Sequence, residues 1–163
     1  MKSKVIGYKI VKADTTHLDE IAELWVELMS IHKEFDAAFF KDTESNKKNI
    51  KATFEHFLTN SNSLLLVLIV EEKVKGFVTA SNNWIKYSNY NSVHSCEIGD
   101  IMIDKKFRKE GLGKQLIDGV KDWAREKDIH TIELNVFAKN SSGIDFFKGA
   151  GLKERFKILY IDF

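Results

Sequence analysis

Arg108-Lys109-Glu110-Gly111-Leu112-Gly113-Lys114 is the stretch on which the reading of this chain turns. Ahead of it stands Glu97-Ile98-Gly99-Asp100-Ile101-Met102-Ile103, an apolar strand pattern. Behind it come Leu116, Ile117, Val120, Trp123 and Ala124, spaced as one face of a helix. Strand, glycine loop and helix start together make an anion cradle. The first N–H groups of a helix lack internal partners and carry partial positive charge. Glycine lets a phosphate approach, because no Cβ stands in the way. Arg108 and Lys114 add side-chain charge. The run is not a P-loop, since Arg108 occupies the first glycine position and Gln115 follows the lysine. Nor is it a dinucleotide fingerprint, because Leu116 stands where the third glycine belongs.

The surrounding pattern predicts one domain over residues 1–163. Val5–Val11 reads as a strand. Asp14-Thr15-Thr16 opens a helix, with Thr16 and Asp19 as its capping box and Leu18, Ile21, Ala22, Trp25, Leu28 and Met29 as its apolar face. A second helix is expected over Ser45–Leu58, and Asn60–Ser63 is a turn cluster. Leu64–Glu71 is a continuous apolar run, as in a strand buried on both faces. A turn at Glu72-Lys73 returns the chain as Lys75–Trp84. After a loop over Ile85–Val93 come a strand at His94–Ile103, the glycine loop, and a helix to about Lys127. His130–Phe137 is the next strand and Asn140–Lys148 a short helix, ended by Gly149 and Gly151. Lys153–Phe163 is expected as a last strand. The order β-α-α-β-β-β-α-β-α-β describes an α/β domain with a mixed sheet.

Composition narrows the function classes. A net charge of +1 implies no nucleic-acid or other polyanion partner. Leu64–Val70 is too short to cross a membrane. The single cysteine, Cys96, precludes an internal disulfide and suits a reducing, cytoplasmic setting. Met1–Lys4 does not read as a leader. No metal is expected, because His94-Ser95-Cys96 offers two ligands without a second pair at suitable spacing.

Arg108, Gly111 and Gly113 fill the three fixed positions of the Arg/Gln-x-x-Gly-x-Gly/Ala motif, and the chain resembles the GNAT N-acetyltransferases. Asn140, the aromatic pair Phe146-Phe147 and the step Gly151-Leu152 match a second motif of that family at the corresponding separation. The resemblance runs from about Tyr8 to the C-terminus. It implies a mixed, mostly antiparallel central sheet flanked by helices, opened into a V between the fourth and fifth strands. It also implies acetyl-CoA as cosubstrate. Arg108, Lys109, Glu110, Gly111, Leu112, Gly113 and Lys114 would hold its pyrophosphate. Backbone at Ile101, Met102 and Ile103 would hold the pantetheine arm, and Asn140 and Phe147 would lie near the thiol end. The family's usual closing hairpin has little room, as 12 residues follow Gly151. A single strand would leave a sheet edge that a second copy, in a homodimer, could cover.

Acetyl transfer to an amine needs a neutral amine. With a pKa near ~10.4, about one lysine-like amine in 10³ is neutral at pH 7, roughly 4–5 kcal/mol uphill. A general base contributes on the order of 10²–10⁴ in rate. Glu97 stands eleven residues before Arg108, where many family members carry a catalytic glutamate; its other reading is a salt-bridged strand residue. Asp100 is the second candidate base, pointed by period-two alternation to the opposite face from Glu97 unless a bulge intervenes. The family's usual thiolate-protonating tyrosine is here Phe147, which leaves water or Tyr160 to do that work. His32, Glu34 and Asp36, beside Phe35, Phe39 and Phe40, fall where relatives line the acceptor mouth, though His32 also extends the helix's apolar face. Trp84, Tyr87 and Tyr90 read as an acceptor wall or a dimer contact. Cys96 has no evident partner base.

These features point to direct attack of a small-molecule or peptide amine on acetyl-CoA in a ternary complex. The alternative is a non-catalytic acyl-CoA-binding module, which Phe147 favours and Glu97 opposes.

Overall fold

In the computed structural model residues 7–40, 47–85 and 93–161 are described. The chain runs through β1 (Tyr8–Lys12), α1 (Leu18–Phe35), α2 (Lys47–Thr59), β2 (Ser63–Val70), β3 (Lys73–Ile85), β4 (Val93–Ile103), α3 (Leu112–Glu126), β5 (Thr131–Leu134) and α4 (Ser141–Gly149). The five strands form one sheet in sequence order. β1 to β4 pair antiparallel, and β5 joins β4 in parallel. Up to α4 this is the α/β domain with a mixed sheet that the residue pattern predicts, and the mostly antiparallel strand order is the one that the resemblance implies.

Hydrophobic periodicity explains both layers. Leu116, Ile117, Val120 and Trp123 of α3 pack on Leu66, Leu68, Val78, Cys96 and Ile98. On the other face Ile21 and Leu28 of α1, with Phe54 of α2, pack on Leu65, Val67, Phe77 and Met102. β2 feeds alternate side chains to both layers, which is why its sequence is apolar without interruption. Each such fully buried side chain contributes about 1.5–3 kcal/mol.

Several boundaries depart from expectation. The first helix is preceded by a 3-10 turn at Thr15–His17, and its cap is Asp14 rather than Thr16: the Asp14 carboxylate accepts from Thr16 N–H at 2.8 Å while His17 Nδ1 accepts from Asp14 N–H at 3.1 Å. The hairpin turn is Glu71-Glu72, one residue earlier than expected, with φ of 49° and 58° as the tight primed turns require. β3 and β4 run on through Ile85 and from Val93, shortening the loop between them from both ends. Val5, Ile6, Ser45, Tyr87 and Tyr90 lie outside the described residues. β5 stops at Leu134, three residues short of the apolar run's end.

The expected last strand is not formed. Residues 152–161 carry no ladder, and Phe156, Ile158, Leu159, Tyr160 and Ile161 are exposed. Alternation gives a segment the propensity to be a strand, but a strand exists only by pairing. Among the described residues nothing pairs with the side of β5 away from β4.

Candidate active site

The parallel register of β4 and β5 ends at Ile98 opposite Leu134. Beyond that pair β4 continues for five residues with its backbone bonded only toward β3, and the two strands part. The site is built around this opening.

At its far end β4 meets the glycine loop. Asp104 caps a short 3-10 turn at Lys105–Phe107 by accepting from Lys106 N–H at 3.0 Å. Arg108 is then folded back on the strand, its Nε donating to the Ile103 carbonyl at 2.8 Å and its Nη2 lying 3.5 Å from Met102 Sδ. The guanidinium is thereby fixed beside the loop. Gly111 is the N-cap of α3 with φ +78°, a left-handed conformation natural to glycine, and a Cβ there would meet nothing within 4 Å. The space above Gly111 is open to a ligand. The helix's first bond runs from Gln115 N–H to Gly111 O at 3.3 Å, so the N–H groups of Leu112, Gly113 and Lys114 have no partner inside the helix. Gly113 serves a different end. A Cβ there would lie 2.9 Å from Cζ of Phe146, so its smallness seats α4 against the loop. Phe146 and Phe147 are paired at 5.1 Å, and Phe147 packs into the α3-side core.

Asn140 is the N-cap of α4, its side-chain oxygen accepting from Gly143 N–H at 2.9 Å. That local bond explains its position just before the helix.

The acidic side chains lie on the other face. Cys96 and Ile98 point into the α3-side core, so Glu97 faces α1. Strict alternation would turn Asp100 away from it. Instead the β3–β4 register shifts between Val78 and Ala80, with Gly99 and Asp100 together opposite Thr79. Asp100 N–H donates to the Thr79 hydroxyl at 2.8 Å, and Thr79 is buried. This bulge returns Asp100 to the face of Glu97, which corrects the opposite-face expectation. Met102, two residues on, packs against α1 and confirms the parity. Burial raises the Asp100 carboxyl above its ordinary value, opposed by a hydrogen bond from the Trp25 indole.

The Glu97 carboxylate accepts from Asn83 Nδ2 on β3. Glu133 of β5 is in register with Glu97 and accepts from the buried Ser95 hydroxyl at 2.7 Å and from Arg155 at 3.1 Å. Three carboxylates therefore share the α1 face of β4 and β5.

α1 crosses above them. Near its start Glu20 accepts from Val74 N–H at 2.6 Å on β3, midway Trp25 reaches Asp100, and at its end His32 packs on Phe137, just beyond β5. Phe35, Phe39 and Phe40 complete the cluster, with ring centroids 5.2–6.2 Å from Phe137. Burial lowers the His32 pKa, which favours the neutral ring. Lys139 Nζ ties this corner by donating to Phe35 O at 2.9 Å. Glu34 is exposed, while Asp36 accepts from Phe39 N–H at 3.3 Å within its own turn.

Other sequence candidates stand apart. Tyr160 lies in the unpaired C-terminal segment, three-quarters exposed. Trp84 stacks on His94 at 4.3 Å near the β3–β4 turn. Cys96 is buried and its thiol is pushed up to about 11, which removes it as a nucleophile. Among the described residues no group of three or more His, Cys, Asp or Glu could hold a metal ion, and no helix is long and apolar enough to cross a membrane. Thr79, Asn83, Glu133 and Phe137 escaped the sequence reading, and Trp25 figures there only as part of the first helix's apolar face. The i, i+7 spacing of Trp25 and His32, which places both on the apolar face of the first helix, is the sequence signal that links two parts of the site.

The sequence model of the acetyltransferase (GNAT) family matches residues 5–152. An uncharacterized N-acetyltransferase of Methanocaldococcus jannaschii is 29% identical over 148 residues; the match covers 91% of this chain but only 62% of that protein. Among solved structures, a mutant of a Bacillus halodurans protein superposes with a TM-score of 0.87 at 18% identity, covering 95% of this chain and 99% of that one. An aminoglycoside N-acetyltransferase in complex with CoA superposes with a TM-score of 0.75 at 18% identity, covering 96% and 94%.

Proposed function

The chain belongs to the acetyltransferase (GNAT) family, and on that premise we propose that it transfers an acetyl group from acetyl-CoA to a primary amine on a small molecule or peptide. The observation that carries the proposal is the division of labour across the sheet: an open, glycine-capped helix start with a tethered arginine on one side, and half-buried carboxylates on the other, joined by the gap between β4 and β5. The solved aminoglycoside acetyltransferase binds CoA, and its likeness here supports the same cosubstrate.

Arg108 and the free N–H groups at Leu112–Lys114 receive the pyrophosphate, with Lys109 and Glu110 forming the loop's outer rim. Backbone at Ile101–Ile103, unpaired toward β5, holds the pantetheine amides and brings the thioester into the gap. The amine enters from the α1 face, drawn as a cation by Glu97, Asp100 and Glu133. Asp100 is the stronger candidate to accept its proton, because its raised pKa makes it a better base than an exposed carboxylate and its position under α1 shields it from water. Glu97, held by Asn83, orients the amine. Nitrogen attacks the thioester carbon, the carbon–sulfur bond breaks, and the thiolate takes a proton from water, since Phe147 has none to give. The thiolate's pKa near ~8.5 makes that departure feasible. The phenylalanines around His32 supply an apolar wall for the body of the acceptor. Cys96, buried in the α3-side core with its thiol pushed up, is not placed to act as a nucleophile in the gap, which favours direct attack in a ternary complex over an acyl-enzyme.

The test is steady CoA release with an amine present. Asp100→Asn should abolish it while acetyl-CoA binding survives. Release that needs no amine, or that Asp100→Asn leaves unchanged, overturns the assignment. Binding without release for any amine favours the non-catalytic acyl-CoA-binding module.

A further inference from the structure

α1 roofs two chemically different parts of the acceptor side. At Trp25 it meets Asp100, with Glu97 on the same face of β4. At His32, two turns on, it meets rings. The His32 ring centroid lies 5.6 Å from those of both Phe40 and Phe137, and Phe39 lies 5.5 Å from Phe40 and 5.9 Å from Phe137. This cluster is not a sealed core. Phe39 is 73% exposed although two rings touch it, and Phe35, Phe40, Phe137 and His32 are only partly buried. A core withdraws its rings from water, whereas a cluster that keeps an aromatic face in solvent can be completed by a ligand.

Charge separates the two parts further. Of the three carboxylates on the α1 face, Glu133 is already ion-paired with Arg155 at 3.1 Å and bonded by the Ser95 hydroxyl at 2.7 Å. Asp100, with Glu97 beside it, is left to receive one ammonium. At the ring cluster the charges cancel. Lys139 donates to Phe35 O at 2.9 Å and Asp36 accepts from Phe39 N–H at 3.3 Å, while Lys33 and Glu34 are both exposed on the last turn of α1. Burial favours the neutral form of His32. The far part of the site therefore holds no net attraction for a second cation, and it offers aromatic surface instead.

The spacing suits a small ligand. From Trp25 to His32 is roughly 10 Å along the helix, at ~1.5 Å per residue. A hydrogen bond to Asp100, a short aliphatic linker, one ring and a ring contact of about 3.5–4.0 Å span that length. We propose that the acceptor is an arylalkylamine, a primary amine joined by a short linker to a single aromatic ring, with Asp100 receiving the amine and Phe39, Phe40 and Phe137 receiving the ring. This rests on the acetyltransferase reading above and adds the body of the acceptor to it. The reaction is unchanged: the nitrogen–carbon bond forms, the carbon–sulfur bond breaks, the amine proton passes to Asp100 and the thiolate takes one from water.

The experiment is CoA release by the full chain at saturating acetyl-CoA, with phenethylamine, ethylamine or spermidine as acceptor, resolved into kcat and KM. Phenethylamine should exceed ethylamine in kcat/KM by about tenfold or more, mostly through KM, because the ring adds apolar contact. Spermidine should do no better than ethylamine. F39S should bring phenethylamine and ethylamine toward parity through KM, with an unchanged circular dichroism spectrum, since Phe39 is mostly exposed. F137L, which keeps an apolar side chain and removes the ring, should move the ratio the same way. Ethylamine or spermidine used as well as phenethylamine overturns the inference and leaves the acetyltransferase reading standing. A preference for phenethylamine that survives both F39S and F137L also overturns it, by placing the ring elsewhere. No release with any of the three amines overturns it too, and titration with acetyl-CoA then shows whether the acetyltransferase reading falls with it.

Discussion

The indole N–H of Trp25, in the middle of α1, donates a hydrogen bond to the carboxylate of Asp100, on the bulge of β4. The bond spans two elements 75 residues apart in sequence. It links the helix that roofs the site to the strand that floors it. It opposes burial, which alone would push the carboxyl further up. Trp25→Phe keeps most of the packing and removes the donor. Its acidic limb in a kcat/KM–pH profile should therefore move to higher pH, because the carboxylate loses its stabilising partner. A limb that stays in place means that Asp100 is not the group being titrated.

Asp100→Asn should stabilise the fold at neutral pH while removing activity. The sign follows from linkage. The folded-state pKa of Asp100 is raised, so folding favours the protonated form. Its stabilising contribution is complete below the unfolded carboxylate pKa and is lost as pH rises through the folded value. The variant and the parent should therefore melt alike at acid pH and diverge, with the variant higher, toward pH 7. Thermal melts at a series of pH values would show this; a variant less stable at neutral pH would contradict it.

Thr79 sets the bulge, and its hydroxyl is the acceptor for Asp100 N–H at 2.8 Å. Thr79→Val preserves shape but leaves that N–H without a partner, at a cost of about 1–3 kcal/mol. The bulge should then relax and re-aim Asp100, lowering kcat more than acetyl-CoA affinity. Denaturant titration and steady-state kinetics together check this. Equal loss in both kinetic parameters would mean that Thr79 serves stability alone.

The two loop glycines should separate by readout. Gly111→Ala meets no atom but forces alanine to φ +78°, costing about 1–2 kcal/mol of stability and placing a methyl in the anion cradle. Gly113→Ala drives a Cβ to 2.9 Å from Phe146 and should cost about 1–3 kcal/mol by overpacking, with smaller effect on phosphate binding. Calorimetry against CoA, paired with thermal melts, tells them apart. Equal losses of CoA affinity in the two would remove the distinction between cradle and packing glycine.

The sequence is most legible where structure is local. The glycine run, the α3 face from Leu116 to Ala124 and the apolar β2 need only neighbours a few residues away, and they fold as their periodicity dictates. Asp100 is the instructive contrast. Which face it takes depends on one extra residue opposite Thr79, a register event between strands that alternation within β4 cannot record. Glu133 and Phe137 were invisible for the same reason, since each acquires meaning only from its partner, Arg155 or His32. The C-terminal segment shows the limit from the other side: a good strand pattern, and no partner strand among the described residues.

One measurement tests the central claim most directly: calorimetric titration of the purified chain with acetyl-CoA, with no acceptor present, beside the same titration of Arg108→Ala. Saturable binding in the micromolar range, weakened about tenfold or more by loss of the charged donor, is the result that this account predicts. Absence of binding, or affinity indifferent to Arg108, would reduce the glycine run to a helix cap and contradict the acetyltransferase assignment.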